Sequence, residues 1–301
     1  MAASIDHINT IVVVGSGTMG LGIAQVAAMG GFDTILCDIK EEQLERARKI
    51  IESNLEKGVA RGKVAEDDAK AALKRLGTST DLDIALESAD MLIEAVPEIL
   101  ELKQDLFAKA DRLMRPHAVL ATNTTGLSIT AIGAATRRPE KVIGMHFFNP
   151  VHIMKLVEII RSKATADETF AVTEAVSRKM GKETVEVNES AGFVTSRINA
   201  LIGNEAFRMW EEGVAQPEDI DKALKLGLNH PMGPFELVDL VGLDVRAFST
   251  RNLHENLGEM YRPCQIILDL VAAGRLGKKT GQGVYRYDAE GKRIPGSATL
   301  P

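Results

Sequence analysis

Short apolar runs and segments of helical periodicity alternate along the first half of the chain. The runs are Thr10–Val14, Thr34–Asp38, Met91–Val96, Val119–Thr122 and Val142–Phe148. An apolar run without alternation is typical of a parallel strand that is covered on both faces. Helical segments follow the first two runs, at Gly20–Met29 and at Glu41–Leu76, the second interrupted near Gly62. The pattern predicts an α/β fold with a doubly wound sheet.

A proline marks the segment that follows the third apolar run. Pro97-Glu98 stands directly after Met91–Val96. Proline is favoured at the first position of a helix, and an acidic residue in the first turn interacts favourably with the helix dipole. We therefore expect the next helix to open at Pro97.

The pattern changes after about Gly181, where apolar residues recur at helical spacing and strand-like runs cease. The predicted helices begin near Gly192 and continue at Pro217–Leu226, Pro234–Leu257 and Pro263–Ala273. This change predicts two domains, residues 1–188 with the sheet and an inserted helical hairpin, and residues 189–301, all helical.

Composition narrows the possible functions. The net charge of -6 argues against a general nucleic-acid or membrane-surface binder, which needs a dominant basic field. Cys37 and Cys264 are the only cysteines, too few for a disulfide scaffold, and no histidine spacing suggests a metal cluster. No leader pattern precedes the first strand, and no apolar stretch approaches the ~18 residues that cross a bilayer. We expect a cytoplasmic protein without a metal.

A glycine-rich turn directly follows the first strand. Gly15-Ser16-Gly17-Thr18-Met19-Gly20 fits the G-x-G-x-x-G pattern between a strand and a helix. In this context Gly15 permits the tight turn, Gly17 lets the backbone approach a pyrophosphate, and Gly20 allows the helix to pack closely. The free N–H groups of Thr18 and Met19 would face the anion. The motif predicts a Rossmann-type dinucleotide site.

Asp38 closes the second strand and indicates which dinucleotide is bound. A carboxylate there accepts hydrogen bonds from the adenosine ribose hydroxyls and repels a 2′-phosphate. Lys40 is the only nearby cation that would favour NADP. We therefore predict NAD as the cofactor. Flavin enzymes share the turn, but a second, substrate-binding domain fits the length better.

One histidine and one glutamate stand at a spacing that suggests general acid–base catalysis. His146 ends an apolar strand, and Glu158 interrupts the apolar run Met154–Ile160 twelve residues later. A hairpin centred near His152 would place them opposite each other. A carboxylate in that position fixes the imidazole tautomer and stabilises its protonated form.

Several separated motifs occur between about His7 and Tyr287 in the same order as in one enzyme family. Besides the glycine turn, they are Ala121-Thr122-Asn123-Thr124, MHFFNP at 145–150, KLVE at 155–158, Gly192-Phe193-Val194, HPMGPFEL at 230–237 and GKKTG at 277–281. In these residues the chain resembles the L-3-hydroxyacyl-CoA dehydrogenases, most of all the short bacterial 3-hydroxybutyryl-CoA dehydrogenases.

The resemblance implies an NAD-dependent oxidation of a 3-hydroxyacyl-CoA to its 3-keto form. His146 would take the hydroxyl proton with Glu158 as its partner, while the substrate lies in a cleft between the domains. The resemblance also implies a homodimer formed through the helical domain. The implied cofactor contacts beyond the glycine turn are Asp38, Ala95, Glu98, Lys103, Asn123 and Asn149.

Two active-site positions, together with the neighbouring Gly126, depart from the family pattern. Thr125 stands where the family usually has serine, which keeps a hydroxyl but adds a methyl group, and Gly126 replaces another common serine. Ser196 stands where the family has an active-site asparagine, so the amide geometry is lost, although Asn199 lies one helical turn away. We still count Thr125 and Ser196 among the catalytic candidates.

The CoA phosphates need cations in an acidic protein. The family's substrate-contacting serine and lysine fall on Asn54 and Arg61, with Lys57 between them. Arginine can pair bidentately with phosphate, so charge is preserved at Arg61. A solvated helix face explains any one of these lysines equally well.

Two other functions remain open at this point. One is a dehydrogenase of a free hydroxy acid, such as carnitine or gulonate, which would be indifferent to loss of Arg61. The other is a crystallin-like protein that binds NAD without turnover, a reading prompted by Thr125 and Ser196. The presence of both His146 and Glu158 argues against the second.

Overall fold

The computed structural model describes residue 5 and residues 7–300. Within it the chain divides into two compact units between Ser190 and Ala191. Among the described residues, no helix is both long enough and apolar enough to cross a membrane.

The first unit is built on one eight-stranded sheet. The strands are β1 (Thr10–Val14), β2 (Asp33–Cys37), β3 (Leu76–Ser79), β4 (Met91–Glu94), β5 (Val119–Thr122), β6 (Val142–Phe147), β7 (Leu156–Arg161) and β8 (Glu183–Asn188). Their order is β3-β2-β1-β4-β5-β6-β7-β8. All neighbouring strands are parallel except β6 and β7, which form an antiparallel pair.

Helices separate most of these strands along the chain. They are α1 (Thr18–Met29), α2 (Glu41–Ala60), α3 (Glu66–Arg75), α4 (Leu82–Ser88), α5 (Leu100–Leu113), α6 (Ile129–Gly133) and α7 (Asp167–Lys179). The break between α2 and α3 includes Gly62, whose φ is +63°, as the sequence predicts. Ile11, Val12 and Val13 of β1 are fully buried, as expected for a central parallel strand.

Two expectations about the first unit are wrong. Helix α5 begins at Leu100, because Pro97 and Ile99 form a turn and Glu98 directs its carboxylate to another loop. A further strand, β8, also follows Gly181 where the pattern indicated only helices. It lies at the edge of the sheet with most residues exposed, so it lacks the apolar run that marks the central strands.

The second unit is helical, which confirms the predicted fold class. Its helices are α8 (Thr195–Glu211), α9 (Pro217–Gly227), α10 (Pro234–Val241), α11 (Leu243–Leu257) and α12 (Gln265–Ala272). The single helix expected over Pro234–Leu257 is wrong, because Gly242 adopts φ +112° and separates α10 from α11. Phe207, Trp210 and Phe235 pack edge to face or tilted in its core.

Candidate functional site

The glycine turn lies against the loop that follows β4. Gly15 has φ +98°, and a Cβ there would stand 2.6 Å from the carbonyl oxygen of Ala95. A side chain on Gly20 would overlap the carbonyl oxygen of Gly15. Because β1 lies between β2 and β4, this turn sits where the strand order reverses, the place where doubly wound sheets bind their ligands.

The opposite side of the turn is open. Nothing lies within 4 Å of the position that a Cβ on Gly17 would take. Gly17 caps α1, and no side chain caps its first turn, where Thr18 and Met19 are the first two residues. Backbone N–H groups at an uncapped helix start form an anion site. The turn therefore fits the pyrophosphate of a dinucleotide.

Asp38 lies at the carboxyl end of β2, beside this turn. Its Oδ2 accepts hydrogen bonds from the backbone N–H of Ser16 (2.8 Å) and from its hydroxyl (2.7 Å), and its Oδ1 accepts one from Lys40 N–H (3.2 Å). Burial acts to raise the pKa of Asp38, but these hydrogen bonds outweigh it and hold the pKa below its usual value. The carboxylate is thus charged at neutral pH, and a negative charge at this position would repel a 2′-phosphate.

A buried ion pair underlies the loop after β4. Lys103 of α5 is 1% exposed, and its Nζ lies 2.5 Å from Oε1 of Glu94 and 3.3 Å from Oε2 of Glu98. Glu94 also accepts the Thr122 hydroxyl at 2.6 Å. Burial is the largest influence on Glu94 and raises its pKa, although Lys103 opposes the rise. The structure therefore encloses Lys103, a predicted cofactor contact, among protein acceptors.

Glu98 joins the loops that follow β4 and β5. Its Oε1 accepts hydrogen bonds from the Thr124 hydroxyl (2.5 Å), the Thr125 N–H (2.9 Å) and the Gly126 N–H (3.2 Å). The Thr125 hydroxyl lies 3.2 Å from the same oxygen. Burial acts to raise the pKa of Glu98, but the nearby Lys103 charge and these donors lower it overall. A single carboxylate thereby fixes the loop that carries Thr125.

His146 and Glu158 face each other across the antiparallel pair of strands. They are register partners in β6 and β7, and Nδ1 of His146 lies 2.7 Å from Oε2 of Glu158. His146 is 5% exposed and Glu158 is fully buried. The Phe148 ring packs against the imidazole with 4.7 Å between centroids. A charge-assisted hydrogen bond in such surroundings holds the ring in one orientation.

Two asparagines flank the histidine strand. Asn123, at the end of β5, is buried, and its Oδ1 accepts the Phe147 N–H at 2.9 Å. This bond holds the end of β6, next to His146. Asn149, in the loop after β6, is exposed. Of the two predicted cofactor contacts, Asn123 thus has a strand-positioning bond and Asn149 is open to a ligand.

The remaining predicted residues lie on α2 and α8. Asn54 on α2 donates its side-chain N–H to Gln25 of α1 at 3.2 Å, while Lys57 and Arg61 are exposed near the end of α2. Ser196 is half-buried in the first turn of α8, in the second unit.

The buried contacts of Glu94, Thr122 and Thr124 were not predicted. A charged residue within the apolar run MLIE was the available signal, since a carboxylate in a fully covered strand needs buried partners. Nothing in the sequence identified which cation on α5 would supply them.

Comparison with known families matches both units. The family model described as "3-hydroxyacyl-CoA dehydrogenase, NAD binding domain" matches residues 10–190, and "3-hydroxyacyl-CoA dehydrogenase, C-terminal domain" matches residues 192–287. These matches confirm the expected NAD-binding domain and the family resemblance.

Individual relatives agree with these matches. The chain is 46% identical over 283 residues to a probable 3-hydroxybutyryl-CoA dehydrogenase of Bacillus subtilis, covering 94% of this chain and 98% of that protein. It is 43% identical to a 3-hydroxyadipyl-CoA dehydrogenase of Escherichia coli, covering 96% of this chain and 61% of that protein. The solved (S)-3-hydroxybutyryl-CoA dehydrogenase of Ralstonia eutropha superimposes with a TM-score of 0.90 at 41% identity, covering 93% of this chain and 99% of that one. The chain therefore belongs to the 3-hydroxyacyl-CoA dehydrogenase family, with an NAD-binding first unit.

Proposed function

We propose that this protein interconverts an (S)-3-hydroxyacyl-CoA and the corresponding 3-ketoacyl-CoA, with His146 as the general acid–base. The buried His146–Glu158 pair carries this proposal, because it lies in the same unit as an NAD site whose glycine turn, helix start and Asp38 all fit the cofactor. NAD, when bound, supplies the acceptor for the hydride that leaves C3 of the substrate.

His146 moves the proton that accompanies this hydride. In the oxidative direction its imidazole takes the proton of the 3-hydroxyl group, and in the reductive direction the imidazolium returns it to the keto oxygen. Glu158 stabilises the imidazolium through the 2.7 Å contact to Nδ1, and Nε2 is the nitrogen proposed to exchange the proton with the substrate oxygen. Glu158 is a positioning residue in this scheme.

The hydroxyls of Thr125 and Ser196 are proposed to contact the substrate oxygen. Thr125 has the more defined support, since Glu98 fixes its backbone and its loop. Threonine retains the donor that the family's serine supplies, and Ser196 retains one donor in place of an amide. Asp38, Ala95, Glu98 and Asn149 are proposed to line the NAD site. Lys103 and Asn123 are proposed to position the residues of that site through their buried contacts.

Lys57 and Arg61 are proposed to bind phosphates of CoA. Both are exposed near the end of α2. Asn54 lies on the same helix, α2, and its side chain is hydrogen-bonded to Gln25 of α1. The names of the relatives include 3-hydroxybutyryl-CoA and 3-hydroxyadipyl-CoA dehydrogenases. Members of this family thus differ in the acyl group that they accept.

We also propose a cytoplasmic homodimer formed through the second unit. Leu240, Val241, Val245 and Phe248 expose apolar side chains on α10 and α11, and Phe248 is 58% exposed. Large apolar side chains exposed on two successive helices are typical of an interface. Sedimentation velocity tests it: the parent chain should sediment as a dimer, and Phe248→Glu should shift it toward the monomer.

The function is tested by following NADH oxidation with acetoacetyl-CoA and with free acetoacetate, for the parent chain and His146→Ala. We expect turnover of the CoA ester alone, slowed by about 10²–10⁴-fold in the variant, with NADH binding retained. Equal turnover of free acetoacetate would favour a free-acid dehydrogenase. NADH binding without any turnover would contradict the proposal.

A further inference from the structure

Gly22 lies inside α1, two residues beyond the glycine-rich pattern of the cofactor turn. It is buried, and its backbone is helical. The dinucleotide pattern ends at Gly20, so cofactor binding gives no reason for a further glycine. Alanine is the most favourable residue in a helix interior and glycine is among the least favourable. A close packing contact therefore accounts for glycine at this position.

That contact is made by Val151, in the turn of residues 148–155 between β6 and β7 (the β6–β7 turn). A Cβ on Gly22 would stand 2.7 Å from Cβ of Val151 and 2.9 Å from its Cγ2. Carbon atoms in contact are ordinarily about 3.5–4.0 Å apart. Because the Cβ of valine is bonded to the backbone, no change of rotamer moves it away. A methyl group added at Gly22 would thus displace the turn or the helix by about 1 Å.

The backbone of the β6–β7 turn is fixed by a second contact. Val151 is 2% exposed and belongs to the core of the first unit. Lys182, just before β8, is buried and donates from Nζ to the carbonyl oxygens of Val151 and Met154. The Met154 N–H donates to the Pro150 carbonyl at 2.9 Å. The turn is therefore an ordered element that meets α1 at a defined separation.

The two elements in contact carry the two halves of the proposed reaction. Helix α1 begins at the turn that fits the pyrophosphate, and it packs against β1, β2, α2 and α3. The β6–β7 turn begins with Phe148, whose ring packs against the imidazole of His146, and continues with Asn149, which is open to a ligand. Since α1 is held by four elements, we expect the turn to be the part that yields to an added methyl group at Gly22.

We propose that the contact between Gly22 and Val151 sets the position of the β6–β7 turn relative to the NAD-binding helix, so that both are positioning residues for hydride transfer. This inference rests on the proposed dehydrogenase function. Transfer between bound partners depends on their separation, and a misplacement of about 1 Å can slow it by about 10²-fold. The glycine turn itself is untouched by a change at Gly22, so the affinity for the cofactor should be retained while the transfer step slows.

The test compares the parent chain with Gly22→Ala, Val151→Gly and the double variant, using NADH and acetoacetyl-CoA. We expect Gly22→Ala to lower kcat by about 10–10²-fold, because the turn is displaced. The kinetic isotope effect on kcat with NADH dideuterated at C4 should rise, because hydride transfer becomes the slow step. The dissociation constant of NADH, measured by fluorescence titration without a substrate, should stay close to that of the parent chain.

Val151→Gly removes both atoms that the added methyl group would meet most closely. It should lower kcat severalfold, because the turn loses its contact with α1, and the double variant should be faster than Gly22→Ala. Gly227→Ala is the matched control, since nothing lies within 4 Å of the added Cβ at the end of α9. It should change neither kcat nor the isotope effect.

A parental kcat and isotope effect in Gly22→Ala would overturn the proposal. A double variant no faster than Gly22→Ala would also overturn it, because the effect of Gly22 would then not pass through Val151. Weaker NADH binding as the sole change would overturn it and assign Gly22 to the cofactor site alone. If circular dichroism shows that Gly22→Ala does not fold, the double variant should fold and keep a kcat close to that of Val151→Gly, and its failure to fold would overturn the proposal. Failure of the parent chain to reduce acetoacetyl-CoA would instead contradict the dehydrogenase function itself.

Discussion

His146 and Glu158 are direct register partners on antiparallel strands, and 2.7 Å separates Nδ1 of the imidazole from Oε2 of the carboxylate. Both belong to a hydrogen-bonded sheet rather than to a mobile loop. Their geometry is therefore set by backbone pairing that extends from Gly144↔Ile160 to Phe147↔Val157. Rigid elements position catalytic groups more accurately than loops do.

Glu158→Gln should lower kcat strongly while leaving the fold intact. Glutamine has nearly the same shape, but it carries no charge to stabilise the imidazolium and can present an N–H to Nδ1, which disturbs the tautomer. We expect kcat to fall by about 10²–10⁴-fold with a small change in KM. Steady-state kinetics with acetoacetyl-CoA provide the measurement. Glu186→Gln on the edge strand β8 is the control, and similar losses in both variants would refute a specific role for Glu158.

Asp38→Asn should weaken NAD selectivity. The amide retains hydrogen bonding but removes the charge that repels a 2′-phosphate, so KM for NADH should rise severalfold and the preference over NADPH should shrink. Asp33→Asn, at the opposite end of β2 and exposed, is the control. Steady-state kinetics with NADH and with NADPH measure this preference. An unchanged NADH to NADPH ratio in Asp38→Asn would remove Asp38 from the determinants of specificity.

The local pattern predicts those features of this fold that depend on nearby residues. The strand β1, the glycine turn and the pairing of His146 with Glu158 follow from apolar runs, turn chemistry and a spacing that one hairpin can close. The break at Gly242 and the exposed strand β8 have weaker signals in the sequence. A glycine inside a helical pattern does not reveal its φ, and an edge strand needs no apolar run.

The charged network around Lys103 could not be predicted from the sequence for a different reason. Its partners Glu94 and Glu98 lie nine and five residues earlier, but burial of all three depends on how α5 packs beneath two loops. The sequence places an acidic residue after Pro97 and suggests a helix start, whereas the loop after β5 competes for the same carboxylate. Tertiary hydrogen bonds decided the outcome over local helix preference.

Glu98→Gln should impair catalysis through the loop that carries Thr125. Glutamine accepts fewer strong hydrogen bonds and would turn an N–H toward either the buried Lys103 or the donors of Thr124 and Gly126. We expect kcat/KM to fall at least tenfold and stability to fall by about 1–3 kcal/mol. Chemical denaturation and steady-state kinetics measure the two effects. Glu101→Gln, exposed in the first turn of α5, should change neither. If Glu98→Gln also changed neither, the carboxylate would have no positioning role.

Lys182 gives a stability prediction with a defined pH dependence. It is buried, its Nζ donates to the carbonyls of Val151 and Met154 in the loop between β6 and β7, and burial lowers its pKa from 10.5 to about 8. Between pH 8 and 10.5 the unfolded chain therefore binds more protons at this residue than the folded one. The cost of burying the ammonium is present below pH 8 and diminishes as the pH rises through this interval.

Lys182→Met removes both the titration and the two hydrogen bonds. We expect the variant to be less stable than the parent by about 1–3 kcal/mol, because two carbonyls lose their donor. The deficit should widen from pH 8 to pH 10 as the parent alone gains stability. Urea unfolding at several pH values measures it, with the exposed Lys179→Met as control. A deficit that stays constant or narrows over this interval would show that Lys182 titrates near its ordinary value in the folded state. Its two carbonyl contacts would then stabilise the hairpin without a buried-charge penalty.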